Sequence, residues 1–272
     1  MKAIVPAPIC PLLAKPTRQS TVVDEALYGM VVELLEETAP GWYRVRTHYR
    51  YEGIVCGDDL LMDDEAAAAW EGLPKKVVRN KNFCDVLSEP KVQGWILATI
   101  PRGGVLYAEG QPENGWQQVR LADGRTGFLP DSFLADNPVA PVSSDEDTLR
   151  RALVDAAMLY RGTHYRWGGK SPMGIDCSGL CSTAYMLNGM LIYRDASIKE
   201  GFPIHEIPRE DMKPGDLLFF PGHVAMYMGE GLFIHSTGHS SANGVIINSL
   251  DPARLLYRPD LIPKMTAVGS YF

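Results

Sequence analysis

Cysteine is scarce and scattered, with five residues in 272, at positions 10, 56, 84, 177 and 181. An odd number leaves at least one thiol unpaired and the spacings match no metal-ligand pattern, so neither a disulfide scaffold nor a bound metal is expected. A reducing, cytoplasmic setting is. Positive charge is also in deficit: 26 Lys and Arg stand against 33 Asp and Glu, a formal net charge of −7. That balance removes the broad basic footprint of a nucleic-acid or anionic-membrane binder. Long apolar runs are missing as well. The opening MKAIVPAPICPLLAKPT is cut by prolines at 6, 8, 11 and 16, which leaves no stretch of signal-peptide length, and nothing later approaches a membrane span. A secreted chain already stripped of its leader would read the same way. What remains, 46% hydrophobic and 22% charged, is an ordinary globular composition with room for roughly two or three domains.

The first two thirds of the chain contain a repeat, visible once the copies are aligned on tryptophan. GMVVELLEETAPGWYRVRTHYRYEGIVCGDDLL matches GGVLYAEGQPENGWQQVRLADGRTGFLPDSFL, with Val31 on Val105, Trp42 on Trp116, Val45 on Val119 and Gly53 on Gly127. Each copy alternates short apolar runs with turn residues, the pattern of a small antiparallel barrel. In that reading Trp42 and Trp116 are barrel core and the matched glycines serve turns or bends. A short helix of one or two turns is expected in MDDEAAAAWEGLPKK between the copies, and ADNPVAPVSSDED after the second reads as a linker. A helix starting at Ser143 or Ser144 follows, with Leu149, Leu153, Ala156, Ala157 and Tyr160 on its buried face until Arg161-Gly162 ends it.

Chemistry concentrates in HYRWGGKSPMGIDCSGLCSTAYMLNGM, residues 164–190. Its glycines and proline make an irregular loop up to Asp176, and the composition turns helical from Cys177. A cysteine at a helix start meets unpaired N–H groups and the positive end of the macrodipole, which favour a thiolate. A base is then needed, and it can be distant in sequence. In KPGDLLFFPGHVAMYMGEGLFIHSTG three apolar runs separated by turns predict an antiparallel ladder with His223 at the start of one strand and His235 at the end of its neighbour. His223 would face Cys177, and His235 would hold the other ring nitrogen of His223.

Taken together, Tyr165-x-Trp167-Gly168-Gly169, Asp176-Cys177-Ser178-Gly179-Leu180, Pro214-Gly215-Asp216-Leu217, Gly222-His223-Val224-Ala225 and His235 resemble the NlpC/P60 cysteine peptidases over residues 145–272. The two tryptophan repeats resemble bacterial SH3-like modules, which narrows the resemblance to the three-domain subset acting on free murein peptides. The resemblance implies SH3-like β-barrels over residues 1–64 and 77–136, followed by an α+β papain-like domain over 145–272. It implies Cys177, His223 and His235 as the triad and Tyr165 in the oxyanion hole. The activity implied is cleavage between γ-D-Glu and the Lys or diaminopimelate that follows it, in peptides with a free N-terminal L-Ala. For the ammonium of that L-Ala the resemblance points to Asp176 and to an acidic residue of an SH3-like module, read here as Glu52 with Tyr51 beside it. Ser178 and Asp195 would contact the D-Glu carboxylate or the peptide backbone. A monomer without cofactor, nucleic acid or membrane is implied.

Other readings stay open at this level. Cys10, Cys56, Cys84 and Cys181 read as buried small residues, and His48, His205 and His239 as solvated loop positions. Cys177, His223 and His235 are also legitimate zinc ligands. A wall-binding protein with little or no peptidase activity, and an acyl or amide transferase on the same core, are the rival functions.

Overall fold

The repeat read around the two tryptophans extends through the whole of both copies. In the computed structural model, which describes residues 1–272, β1 (Lys2–Ile4), β2 (Ile9–Leu13), β3 (Val22–Leu27), β4 (Val31–Ala39), β5 (Trp42–Thr47) and β6 (Glu52–Cys56) form one sheet in the order β1-β4-β5-β6-β2-β3. After α1 (Asp64–Glu71) come β7 (Lys75–Val78), β8 (Phe83–Leu87), β9 (Ile96–Pro101), β10 (Val105–Glu113), β11 (Trp116–Arg120), β12 (Thr126–Pro130) and β13 (Leu134–Asp136), ordered β13-β7-β10-β11-β12-β8-β9. Apart from the added β13 the two orders coincide. Ile9 matches Phe83, Val22 matches Ile96 and Val31 matches Val105, a constant offset of 74 residues. Cys10 and Cys84 fall in register too, both buried, and burial pushes both thiols up to about 12.

The matched glycines sit inside strands β6 and β12, not at turns. A Cβ on Gly53 would lie 2.7 Å from Leu12 Cβ, and one on Gly127 would lie 2.7 Å from Val86 and 2.8 Å from the Leu87 carbonyl oxygen. Each glycine lets one strand cross closely over another. The tryptophans differ from expectation as well: neither Trp42 nor Trp116 is buried. The core of the second sheet is built instead from Val78, Cys84, Val86, Ile100, Leu106, Val119, Leu121 and Leu129, and Tyr28 of the first copy is inserted among them. Tyr28 is tied there by its hydroxyl, which accepts from the Ala122 N–H at 2.9 Å, and by its carbonyl, which accepts from the Val105 N–H at 2.9 Å. Trp70 of α1 donates its indole N–H to the Gly29 carbonyl at 2.8 Å. Residues Met1–Asn137 accordingly make one compact unit.

The second unit, Pro138–Phe272, holds α2 (Glu146–Met158), a short β14–β15 pair (Lys170–Ser171, Gly174–Ile175), α3 (Cys177–Met186), β16 (His205–Ile207), β17 (Leu217–Phe220), β18 (His223–Gly229), β19 (Leu232–Thr237), β20 (Gly244–Ser249) and β21 (Ala267–Ser270). Its sheet runs β16-β21-β17-β18-β19-β20. α2 is capped by Asp145, one or two residues later than expected, through a bond accepted from the Thr148 N–H at 2.8 Å. Leu149, Leu153, Ala156, Ala157 and Tyr160 are buried as the pattern requires. The Pro-Gly-Asp motif has a structural role. Asp216 is fully buried and accepts from Arg150 at 2.8 Å, Ser270 Oγ at 2.6 Å and the Lys213 N–H at 2.7 Å, which joins α2 to the sheet. No helix of the chain is long and apolar enough to cross a membrane.

Candidate active site

Asp176 opens α3 as its N-cap, and Cys177 is the first helical residue. Gly179 is required one turn in, because a Cβ there would meet the Gly169 carbonyl oxygen at 2.2 Å. The helix is therefore pressed against the glycine loop that precedes it. The backbone N–H groups of Val224 and Ser178 are directed at the Cys177 sulfur, so the thiol sits against the start of β18, the strand that His223 opens.

The histidines lie on adjacent antiparallel strands. Met226 pairs with Ile234, and continuing this register puts His223 diagonally across from His235 on the same face. β19 continues to Thr237, so His235 stands within its strand instead of ending it. His223 Nε2 and His235 Nδ1 are 2.7 Å apart, and His235 Nε2 is 2.9 Å from Asn248 Oδ1. One backbone group fixes every proton in this chain. Asn248 Nδ2 donates to the Leu256 carbonyl at 2.9 Å, which turns the amide oxygen toward His235. His235 must then carry its proton on Nε2 and accept at Nδ1, so His223 donates from Nε2. The nitrogen of His223 left with a lone pair is Nδ1, which is the arrangement of a general base. Asn248 was not among the residues singled out from sequence; it arrives on β20, whose position only the sheet order reveals.

Burial governs the protonation states. It pushes the Cys177 thiol up to about 11, with the Asp176 carboxylate adding to the effect and the Val224 N–H, Arg194 and the Ser178 N–H opposing it. It lowers His223 to about 4, with the Arg258 charge adding, and His235 to about 3, chiefly by burial and then by His223. The resting thiolate expected from the helix end is thus not favoured on its own. Desolvating an isolated ion costs several kcal/mol, against about 1 kcal/mol from a helix terminus. A thiolate formed by handing its proton to a nearby base would leave the net charge of the pocket constant. Tyr165 is held as a neutral phenol, its pKa raised by burial first and then by Cys177 and Asp176. It can therefore donate a hydrogen bond.

Asp176 departs most from the sequence reading. Its Oδ1 accepts from the Gly179 N–H at 2.6 Å, from Arg194 Nη1 at 3.0 Å and from Ser178 Oγ at 3.3 Å. Its Oδ2 accepts from the Gly168 N–H at 2.8 Å and from Arg194 Nη2 at 3.2 Å. With both oxygens bonded and the side chain buried, Asp176 anchors the helix start. Arg194, only 1% exposed, is the partner that sequence reasoning passed over, and it also donates to Ser178 Oγ at 2.8 Å. Asp195 is exposed and accepts from the Tyr193 hydroxyl at 3.0 Å. Ser178, Asp195 and Val224 line one cleft together with Tyr193 and Cys181. In the first unit Glu52 lies on β6, paired with Arg46 at 2.8 Å and Arg44 at 3.6 Å. Tyr51 precedes it in the β5–β6 hairpin, its carbonyl accepting from the Thr47 N–H at 2.9 Å.

A thiol at a helix start, a phenol donor and a tautomer-fixed histidine relay on an antiparallel sheet make the layout of a cysteine hydrolase. The sequence model of the NlpC/P60 family matches residues 162–255. The chain is 46% identical to Dipeptidyl-peptidase 6 of Lysinibacillus sphaericus over 100% of both proteins. It is 25% identical to a Gamma-D-glutamyl-L-lysine dipeptidyl-peptidase of Bacillus cereus over 81% of this chain and 68% of that one. The crystal structure of an NlpC/P60 family protein from Bacillus cereus superposes with a TM-score of 0.81 over 100% of this chain and 99% of that chain, at 21% identity, and so shares its fold. The chain belongs to the NlpC/P60 family.

Proposed function

We propose that this protein is a cysteine peptidase that hydrolyses the bond between γ-D-Glu and L-Lys or diaminopimelate in free murein peptides carrying an N-terminal L-Ala. The observation that supports it most directly is the relay from Asn248 through His235 to His223, on the strand whose Val224 N–H is directed at the Cys177 sulfur. In this reading Sγ attacks the γ-carbonyl carbon as its proton passes to His223 Nδ1. Tyr165 and a backbone N–H stabilise the oxyanion, and His223 returns the proton to the leaving amine as the C–N bond breaks. Water, deprotonated by His223, then cleaves the thioester and releases the dipeptide.

Recognition of the free amine follows from charge. Asp176, charge-balanced by Arg194, is our candidate acid for the ammonium in the second unit, and Ser178 and Asp195 are suited to polar groups of the peptide. Glu52 with Tyr51 remains our candidate from the first unit, although an ammonium there must compete with two guanidinium groups for one carboxylate. The two sheets of that unit we read as SH3-like barrels. Five free cysteines favour a reducing compartment, and we take the chain to act as a monomer.

Incubation with L-Ala-γ-D-Glu-L-Lys should release L-Ala-γ-D-Glu, and Cys177→Ala should lower kcat by about 10⁴-fold or more at unchanged melting temperature. Equal turnover by the two proteins would remove the hydrolase reading in favour of wall binding alone. Acetylation of the L-Ala amine should raise KM, and an added amine should not trap the acyl group in place of water.

A further inference from the structure

The two repeats differ at one place where their scaffolds coincide. In the first, Arg18 lies over the Trp42 ring, its Cζ 5.8 Å from the centroid, and is held by Asp59. Arg44, two residues along β5, pairs with Glu36 at 3.2 Å. Carrying the constant offset across, Trp42 becomes Trp116, Arg44 becomes Gln118, Glu36 becomes Gly110 and Arg18 becomes Val92. Both cations and both of the acids that hold them are gone, Asp59 being replaced by Phe133. In their place the second repeat has an open cleft of about 360 Å³, lined by Trp116, Phe128, Gln118, Glu109 and Glu113 among others, with no basic residue on its walls. The aromatic face is kept. Glu109 is paired with Arg120, so Glu113, exposed at the end of β10, supplies the charge on the open side.

We propose that this cleft is a binding site for a cationic peptide side chain, a guanidinium or ammonium group that stacks on Trp116 and pairs with Glu113. The first repeat carries the template for the stacked cation within its own chain, although there the acid is Asp59, on a turn where the second repeat has Phe133. Where Trp42 is covered by an arginine of the protein, Trp116 offers the same surface to a ligand. The site is built wholly from the first unit and is independent of Cys177.

The test uses the full-length protein, the tripeptide Gly-Arg-Gly, its uncharged citrulline counterpart and chitotriose as a neutral sugar. Binding is read from the indole N–H resonance of Trp116, assigned with Trp116→Phe. Gly-Arg-Gly should shift it saturably, with the citrulline peptide about tenfold weaker. Glu113→Gln should weaken the arginine peptide by a similar factor. Gln118→Arg restores the cation that Arg44 provides in the first repeat and should abolish the shift, while peptidase turnover stays at the wild-type level and shows that the protein is folded. The inference is overturned by any of three results: no saturable shift, equal affinity for the citrulline peptide or the sugar, or arginine-peptide binding that survives Gln118→Arg.

Discussion

In the first unit the ion pairs Arg18–Asp59, Arg44–Glu36 and Arg120–Glu109 lie where solvent reaches them, whereas in the second Arg150–Asp216 and Arg194–Asp176 are buried, with both guanidinium groups almost wholly covered. The contrast follows from what each unit must hold. The repeats bury strand faces that alternate apolar and polar residues, so hydrophobic burial can carry them and these ion pairs stay outside, although Asp24, Glu25 and Arg102 are buried. The catalytic unit has to fix an irregular glycine loop against the start of a helix, where backbone N–H groups need acceptors. There a carboxylate and a guanidinium do what a strand ladder does elsewhere.

The sharpest way to break this comparison is at Arg194. Replacing it with Met leaves Asp176 as a buried charge with only backbone and hydroxyl donors, and should destabilise the second unit by about 3–5 kcal/mol. Urea titration followed by an active-site probe would measure this, and a loss below about 1 kcal/mol would mean that the pair behaves like a surface one. In the first unit the corresponding blow should come from an apolar side chain. Tyr28→Ala removes a ring from the core of the neighbouring sheet together with the acceptor for the Ala122 N–H, and should cost about 3 kcal/mol. Loss of a single cooperative transition for residues 1–137, with the two copies then melting apart, is the accompanying outcome.

The relay gives the second unit a pH dependence in the histidine range. His223 and His235 are held near 4 and 3 when folded, against about 6.5 in an unfolded chain. The unfolded state therefore takes up protons first as pH falls, and stability declines from about pH 6.5 toward pH 3. His235→Gln should flatten that part of the stability profile. The same depressed His223 value predicts an acid limb of kcat/KM well below the ordinary histidine range.

Much of this was legible in sequence, for identifiable reasons. The Trp and Gly register gave the repeat because both copies kept their spacing, and Asp-Cys-Ser-Gly marked the start of α3 because its Asp is the helix cap. What stayed hidden depends on partners brought from elsewhere in the chain. Asp176 reads as a free acid until Arg194 is seen eighteen residues on. Asn248 reads as a strand residue until β20 is placed beside β19. Symmetry argued that Trp42 and Trp116 are core, but symmetry is silent about which face of a strand is covered. Gly53 and Gly127 looked like turns because a glycine in sequence does not say whether it serves a positive φ or a crowded neighbour.

The smallest expected effect tests the other side of the comparison. Arg18 makes a bidentate pair with Asp59, its second contact at 3.1 Å, and stacks on Trp42, an arrangement that by geometry alone looks as firm as Arg194 on Asp176. It is solvated, however, so water replaces most of what is lost on truncation. Arg18→Ala should cost under about 1 kcal/mol and leave peptidase turnover unchanged, while making Trp42 more accessible to iodide quenching. If it instead costs as much as Arg194→Met, burial is not what separates the two units, and the covered tryptophan of the first repeat is part of its stability in a way that the open tryptophan of the second is not.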